Sequence, residues 1–219
     1  MEEKIITFEG IGALFDDAPV YQMVEDEAFS HGLYDTRAVS LFQTYMERLK
    51  YAEPFRSYDD LIREALSYLD MEMGCEVFKR IGEDAVDLAF HLTPRAYAAS
   101  TLRILKNNGY ELALISAGSI DMTNEENRQL DQIFDYQLSA EEAESYAPER
   151  RLFEIATDRF SLYCKHNTYV TSHYWEGVMP ASRAGWPKVW VHQDQMKGRK
   201  KEEPYGEVRS LKDLPLYFS

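Results

Sequence analysis

Lys4-Ile5-Ile6-Thr7-Phe8-Glu9-Gly10-Ile11-Gly12-Ala13-Leu14-Phe15-Asp16 is the stretch that decides the fold. Residues 4–9 are a short run rich in β-branched and aromatic side chains that stops at a glycine-containing loop, the pattern of a buried strand. A carboxylate, Glu9, closes the strand. In open α/β sheets the ligand site lies beyond the carboxyl ends of the strands, so an acid there is a candidate functional group.

Outward from this strand the character changes twice. Residues 16–92 carry helical patterns and many aromatics, with almost no strand signal. Residues 34–50 place Leu41, Tyr45, Met46 and Leu49 at helical spacing. Ser57-Tyr58-Asp59-Asp60 reads as a helix start, continued by Leu61, Ile62, Ala65, Leu66 and Leu69. Further helices are expected over 76–81 and 83–89.

After Thr93-Pro94 the pattern alternates. Pro94 suits the first turn of a helix, with a stripe of Ala98, Leu102 and Leu105 that ends at Asn107-Asn108-Gly109. Strands are predicted over 111–115, 136–138, 168–171 and 188–192. Helices are predicted over 124–133, 148–160 and 175–184, with a short one from Ser210 to Pro215. Strands alternating with helices imply a doubly wound parallel sheet. The expected architecture is an α/β core of residues 1–15 and 93–219, with an all-helical cap, 16–92, inserted after the first strand and covering the sheet's carboxyl edge.

Each predicted core strand ends in a short polar or glycine-bearing stretch. The first gives Glu9-Gly10-Ile11-Gly12, and the second Leu114-Ile115-Ser116-Ala117-Gly118-Ser119. The third gives Tyr146-Ala147-Pro148-Glu149, and the fourth Thr171-Ser172-His173-Tyr174-Trp175-Glu176. In this order and spacing they resemble the motifs of the haloacid dehalogenase superfamily, in its type II, L-2-haloacid dehalogenase-like branch. The resemblance covers nearly the whole chain and implies a Rossmann-like core.

The resemblance also implies roles. Its first-motif aspartate is a nucleophile that forms a covalent ester. Here that position is Glu9, longer by about 1.5 Å, one carbon-carbon bond. Two residues on, the phosphatases need a second acid, and Ile11 disfavours that chemistry while fitting the dehalogenase branch. Ser116 matches a serine that donates to the nucleophile or a bound anion, and Ala117 replaces a frequent asparagine. A lysine that balances the nucleophile is replaced by Ala147, so the Glu9 carboxyl is expected to titrate high. Arg150 and Arg151 read as solvated helix residues. In the fourth motif Ser172 is kept, an asparagine becomes His173, and an aspartate becomes Glu176. The strand residue His192 reads as structural. The halide-binding cap arginine aligns with Ser40, with Arg37 one turn away. Tyr45 is among the aromatics that line either a pocket or plain core.

Glu9, Ser116, His173 and Glu176 are therefore the candidate catalytic residues. Ile11, Ala117, Ser172, Arg37 and Tyr45 are the candidate substrate contacts. No cofactor is expected. A Mg²⁺ held between Glu9 and Glu176 is one way for two close carboxylates to coexist, and a shared proton is the other.

The formal net charge of −14 argues against nucleic acid and anionic membranes as partners. A small molecule is the expected ligand, and the resemblance implies a homodimer. Cys75 and Cys164 lack CxxC spacing and fit reduced thiols. No apolar stretch reaches membrane-spanning length. The start Met1-Glu2-Glu3-Lys4 lacks a secretion-signal pattern, so a cytoplasmic protein is expected. Three readings stay open: a scaffold that has lost dehalogenase and phosphatase activity, a site turned to acid/base chemistry, and an active hydrolase with Glu9 as nucleophile.

Overall fold

The computed structural model describes residues 3–34, 37–193 and 196–219. The chain splits into two compact units, Met1–Asp16 with Thr93–Ser219, and Asp17–Leu92. In the first unit β1 (Glu3–Glu9) buries Ile5, Ile6 and Phe8 on both faces, as a central parallel strand does.

The second unit is helical among its described residues. It holds α1 (Ala18–Ser30), α2 (Arg37–Leu49), α3 (Tyr58–Met73), a 3₁₀ turn (Phe78–Ile81) and α4 (Gly82–Phe90). The Ser57 hydroxyl accepts the Asp60 amide and starts α3, and Gly74, at φ 66°, ends it. The stripe Leu61, Ile62, Ala65, Leu66, Leu69 is fully buried. The segment 76–81, expected to be α-helical, is a 3₁₀ turn whose amides are held by a side chain: Asp70 accepts from the Val77, Phe78 and Lys79 amides at 2.7–2.9 Å. The first helix, α1, went unread because its buried face is a thin line of Val20, Val24 and Ala28.

The first unit then continues with α5 (Ala98–Asn107), β2 (Glu111–Ser116), α6 (Ile120–Gln129), β3 (Tyr136–Ser139), α7 (Ala140–Ala143) and α8 (Arg150–Arg159). β4 (Lys165–Thr171), α9 (Met179–Arg183), β5 (Lys188–Val191), β6 (Gly206–Val208) and α10 (Leu214–Tyr217) complete it. The strands form a six-stranded parallel sheet in the order β3-β2-β1-β4-β5-β6. This is the doubly wound sheet expected from the alternation. The order reverses at β1, so the crevice between the carboxyl ends of β1 and β4 is the topological switch point where such sheets place ligands.

Several details differ from the sequence reading. Pro94 is not helical: it bridges Phe15, and α5 begins only after Tyr97, whose φ is 69°. The helix expected over 124–133 starts four residues earlier, because the Ser119 hydroxyl accepts the Met122 amide and caps it there. The helix expected over 175–184 divides into a π-helical turn, Tyr174–Val178, and α9. β6 was not anticipated, being three residues long at the sheet edge.

Candidate functional site

Glu9 ends β1 beside the last residue of β4, and its carboxylate is bound by that residue and the segment that follows it. Oε2 accepts the Thr171 hydroxyl at 3.0 Å, the Ser172 amide at 2.9 Å and the Ser172 hydroxyl at 3.3 Å. Oε1 lies 2.8 Å from His173 Nδ1. The register explains why these residues meet: Phe8 pairs Val170, so Glu9 lies level with Thr171 and one step short of the loop that carries Ser172 and His173.

Three further contacts hold that loop. The Thr171 hydroxyl oxygen accepts the His173 amide at 3.1 Å. Trp190 on β5 donates its indole Nε1 to the Ser172 carbonyl at 3.0 Å. Gly12, at φ +106°, brings backbone so close to His173 that a Cβ there would lie 2.3 Å from Cε1 of the ring. Gly177 leaves similar room for Thr171.

The electrostatics correct one expectation. Burial raises the Glu9 pKa, but the His173 charge, the His173 hydrogen bond and those from the Ser172 amide and the Thr171 hydroxyl outweigh it. The carboxyl titrates below its ordinary range, not above it. His173 is the first of the groups that lower its pKa, while Ala147, where the resemblance implies a lysine, packs against an apolar cluster that contains Phe153 and Tyr169. Arg150 pairs with Glu154 and Arg151 with Glu144, all on the surface, as expected for solvated helix residues.

Ser116 has its partner on the other side, away from β4. Its hydroxyl donates to Oε1 of Glu126 on α6 at 2.9 Å, and its oxygen accepts the Gly118 amide. Glu126 was missed from sequence. The signal was an acid at the centre of an apolar helix stripe, Met122, Glu126, Leu130, all buried. Thr171 and Trp190 were also missed as contributors. Ile11 is buried in the loop, bridging Phe15, and Ala117 is half-buried beside Ser116.

Glu176 stands on the π-helical turn, half-buried. Glu9 has His173 as a partner, at 2.8 Å. Both glutamates still act together on Tyr169, whose hydroxyl is driven well up, first by burial, then by the charges of Glu9 and Glu176. No group of three or more His, Cys, Asp or Glu able to hold a metal ion occurs among the described residues. Both Glu9 oxygens take hydrogen bonds or a close contact from Thr171, Ser172 and His173. His192 stacks on Trp190 at 3.6 Å between ring centroids, a structural contact.

Arg37 and Tyr45 belong to the helical unit. Arg37 opens α2 with an exposed side chain, and Ser40 donates to its carbonyl at 2.9 Å. Tyr45 donates to Glu72 at 3.0 Å and stacks on Tyr68.

No protein-family model matches the chain. An (S)-2-haloacid dehalogenase of Pseudomonas fluorescens is 27% identical over 193 residues, 85% of this chain and 83% of the relative. Among solved structures, a dehalogenase is similar with a TM-score of 0.82 at 23% identity, over 98% of this chain and 96% of that one. An L-2-haloacid dehalogenase of Xanthobacter autotrophicus, solved with chloropropionic acid covalently bound, is similar with a TM-score of 0.80 at 19% identity, over 99% and 98% of the two chains.

Proposed function

We propose, from the premise that this chain belongs to the haloacid dehalogenase superfamily on its L-2-haloacid dehalogenase-like branch, that its site performs acid/base chemistry on a small organic molecule. His173 is the working group and Glu9 orients it. The observation that carries this reading is the 2.8 Å contact of His173 Nδ1 with a carboxylate whose other oxygen is held by Thr171 and Ser172.

A carboxylate nucleophile must bring an oxygen within about 3–3.5 Å of the reacting carbon, in line with the leaving group. Glu9 is turned into the β4 segment, with its side chain 11% exposed against 43% for His173. The imidazole therefore presents itself to a ligand more than the carboxylate does. With Nδ1–H donated to Glu9, the lone pair lies on Nε2, and the ring can take a proton from substrate or water and return it. Such a group contributes roughly 10²–10⁴-fold in rate. Elimination, isomerisation and hydration of a small molecule fall within this chemistry. Dehalogenase and phosphatase turnover are correspondingly weak or lost.

A second reading, a hydrolase with Glu9 as nucleophile, is favoured by the asymmetry of the carboxylate. Oε2 is anchored by Thr171 and Ser172 while Oε1 faces His173, and withdrawal of the ring would expose Oε1. The relative with covalently bound chloropropionic acid supports this chemistry for the fold. The resemblance also carries a cytoplasmic homodimer into the reading, which sedimentation of the purified protein addresses.

The deciding experiment is a single turnover of L-2-chloropropionate and of 4-nitrophenyl phosphate in H₂¹⁸O, followed by the mass of the Glu9 peptide. We expect no ¹⁸O in Glu9 and no trapped ester. Turnover that labels Glu9 and vanishes in Glu9→Gln would establish the nucleophile reading instead. Ligand binding with no turnover in a wider screen of small carbonyl and hydroxy compounds would make the protein a binding module.

A further inference from the structure

Glu126 is a buried acid that the Glu9–His173 chemistry leaves unused. It is 5% exposed, and its Oε1 accepts the Ser116 hydroxyl. Its Oε2 is buried and has no hydrogen-bond partner among the described residues. A Cβ built on Gly10 would lie 2.7 Å from that oxygen. One side chain therefore touches both the residue after Glu9 and the serine that ends β2.

An unmatched buried polar atom is destabilising, and an aliphatic side chain would fill the same stripe without that cost. Met122 and Leu130 on either side show what the stripe otherwise holds. The Gly10 backbone is fully committed, its amide to the Ile115 carbonyl and its carbonyl to the Leu14 and Phe15 amides. Glu126 thus packs against the fixed pivot of the Glu9 loop.

We propose that Glu126 is a positioning residue: it takes the hydrogen of the Ser116 hydroxyl and holds it toward α6, so that Glu9 is oriented from the β4 side by Thr171, Ser172 and His173. The sequence motif keeps its serine, but the serine's donor is redirected. Burial supports this arrangement. It pushes the Glu126 carboxyl up to about 8, against the pull of the Ser116 bond, so at neutral pH no negative charge is added behind Glu9. The proposal concerns hydrogen bonds and holds whether or not the site turns over a substrate.

The test is the titration of the Glu9 carboxyl, read by ¹³C NMR. In Glu126→Leu the Ser116 hydroxyl is released and becomes a donor to Glu9, lowering its midpoint further by roughly half a unit or more. In the Ser116→Ala background the same Glu126→Leu change leaves the midpoint where Ser116→Ala alone has it. Glu126→Gln, whose amide oxygen still accepts from Ser116, keeps the wild-type midpoint. An equal shift with and without Ser116, or no shift in a folded Glu126→Leu protein, overturns the proposal. If Glu126→Leu does not fold, Ser116→Ala alone decides. Its hydroxyl is not given to Glu9 in the wild type, so the Glu9 midpoint stays put, and a clear rise overturns the proposal.

Discussion

His173 stands against Glu9 in the role, beside the carboxylate, that the resemblance gives to a motif-three lysine. The ring Nδ1 stands 2.8 Å from Oε1, delivered by the loop after β4, while the motif-three position holds Ala147. An imidazole thus stands beside the buried carboxylate where the resemblance implies a lysine. A lysine stays charged at all ordinary pH values, whereas an imidazole changes charge near neutrality. An imidazole in that place, unlike a lysine, can both take and return a proton, the capacity on which the acid/base reading rests.

Replacing His173 by Gln tests this pairing directly. Burial alone pushes the Glu9 carboxyl up, and His173 is the first of the groups that pull it down. The variant's Glu9 titrates above the wild type. Since the folded pKa of wild-type Glu9 is depressed below 4.5, its stabilising contribution is present above the unfolded pKa. It is lost as pH falls from there through the folded value. The variant loses about 1–2 kcal/mol near pH 6, less than a fully buried pair would, because the ring is half-exposed. Urea unfolding of both proteins between pH 3 and 7 measures it. An unchanged Glu9 midpoint would sink the pairing.

Glu126 gives a pH effect of opposite sign. Its folded pKa of about 8 lies above its ordinary 4.5, so between those values the folded protein holds a proton that the unfolded chain has released. Stability therefore falls as pH rises through this window, at up to about 1.4 kcal/mol per unit. Glu126→Gln removes the charge and flattens that slope. Denaturant midpoints from pH 5 to 8.5 report it. Parallel curves for wild type and variant would show that Glu126 ionises normally.

Most of the fold was legible, and the failures have physical causes. The strand of Ile5, Ile6, Phe8 and Glu9 and the stripe of α3 announce themselves because each buries a continuous apolar face. β6 is three residues at an edge, held by its backbone to β5, and carries almost no side-chain signal. The start of α6 depended on a cap at Ser119 rather than on apolar periodicity. In the site, Glu9, Ser172 and His173 follow from motif order, since a parallel sheet gathers its strand ends. The direction of the Ser116 hydroxyl does not follow, because it depends on a residue from outside every motif, Glu126. Such a partner is visible in sequence only as an acid where a helix stripe calls for an apolar residue.

Asp70 supplies a prediction for the helical unit. It is buried, and it accepts three consecutive backbone amides, Val77, Phe78 and Lys79, and the Cys75 thiol. Burial pushes its carboxyl up, but the backbone amides pull it below the ordinary range. Asp70→Ala leaves those amides without an acceptor and costs roughly 2–4 kcal/mol. Asp70→Asn keeps oxygen acceptance on one side and costs less. Hydrogen exchange at Phe78 and Lys79 accelerates in the same order. Equal protection in all three proteins would show that Asp70 is not what orders the 3₁₀ turn.

Gly12 is where backbone and chemistry meet most closely. Its φ of +106° is a conformation that L side chains rarely adopt, and a Cβ there would approach His173 Cε1 at 2.3 Å and Ser172 Oγ at 2.9 Å. Gly12→Ala therefore carries two penalties. Backbone strain costs about 1–3 kcal/mol. The imidazole must also swing away, because Gly12 is pinned by the hydrogen bond its amide donates to the Phe15 carbonyl and by Arg95, which donates to its carbonyl at 2.7 Å. With the ring displaced, burial dominates at Glu9 and its carboxyl titrates higher. Gly32→Ala is the control. Its φ of +72° brings comparable strain, but nothing lies within 4 Å of its Cβ position. Gly32→Ala is expected to lower stability modestly and leave the Glu9 titration at its wild-type value, whereas Gly12→Ala changes both. If the two substitutions prove equivalent by ¹³C NMR of Glu9 and by urea midpoint, His173 is not seated by the Gly12 turn.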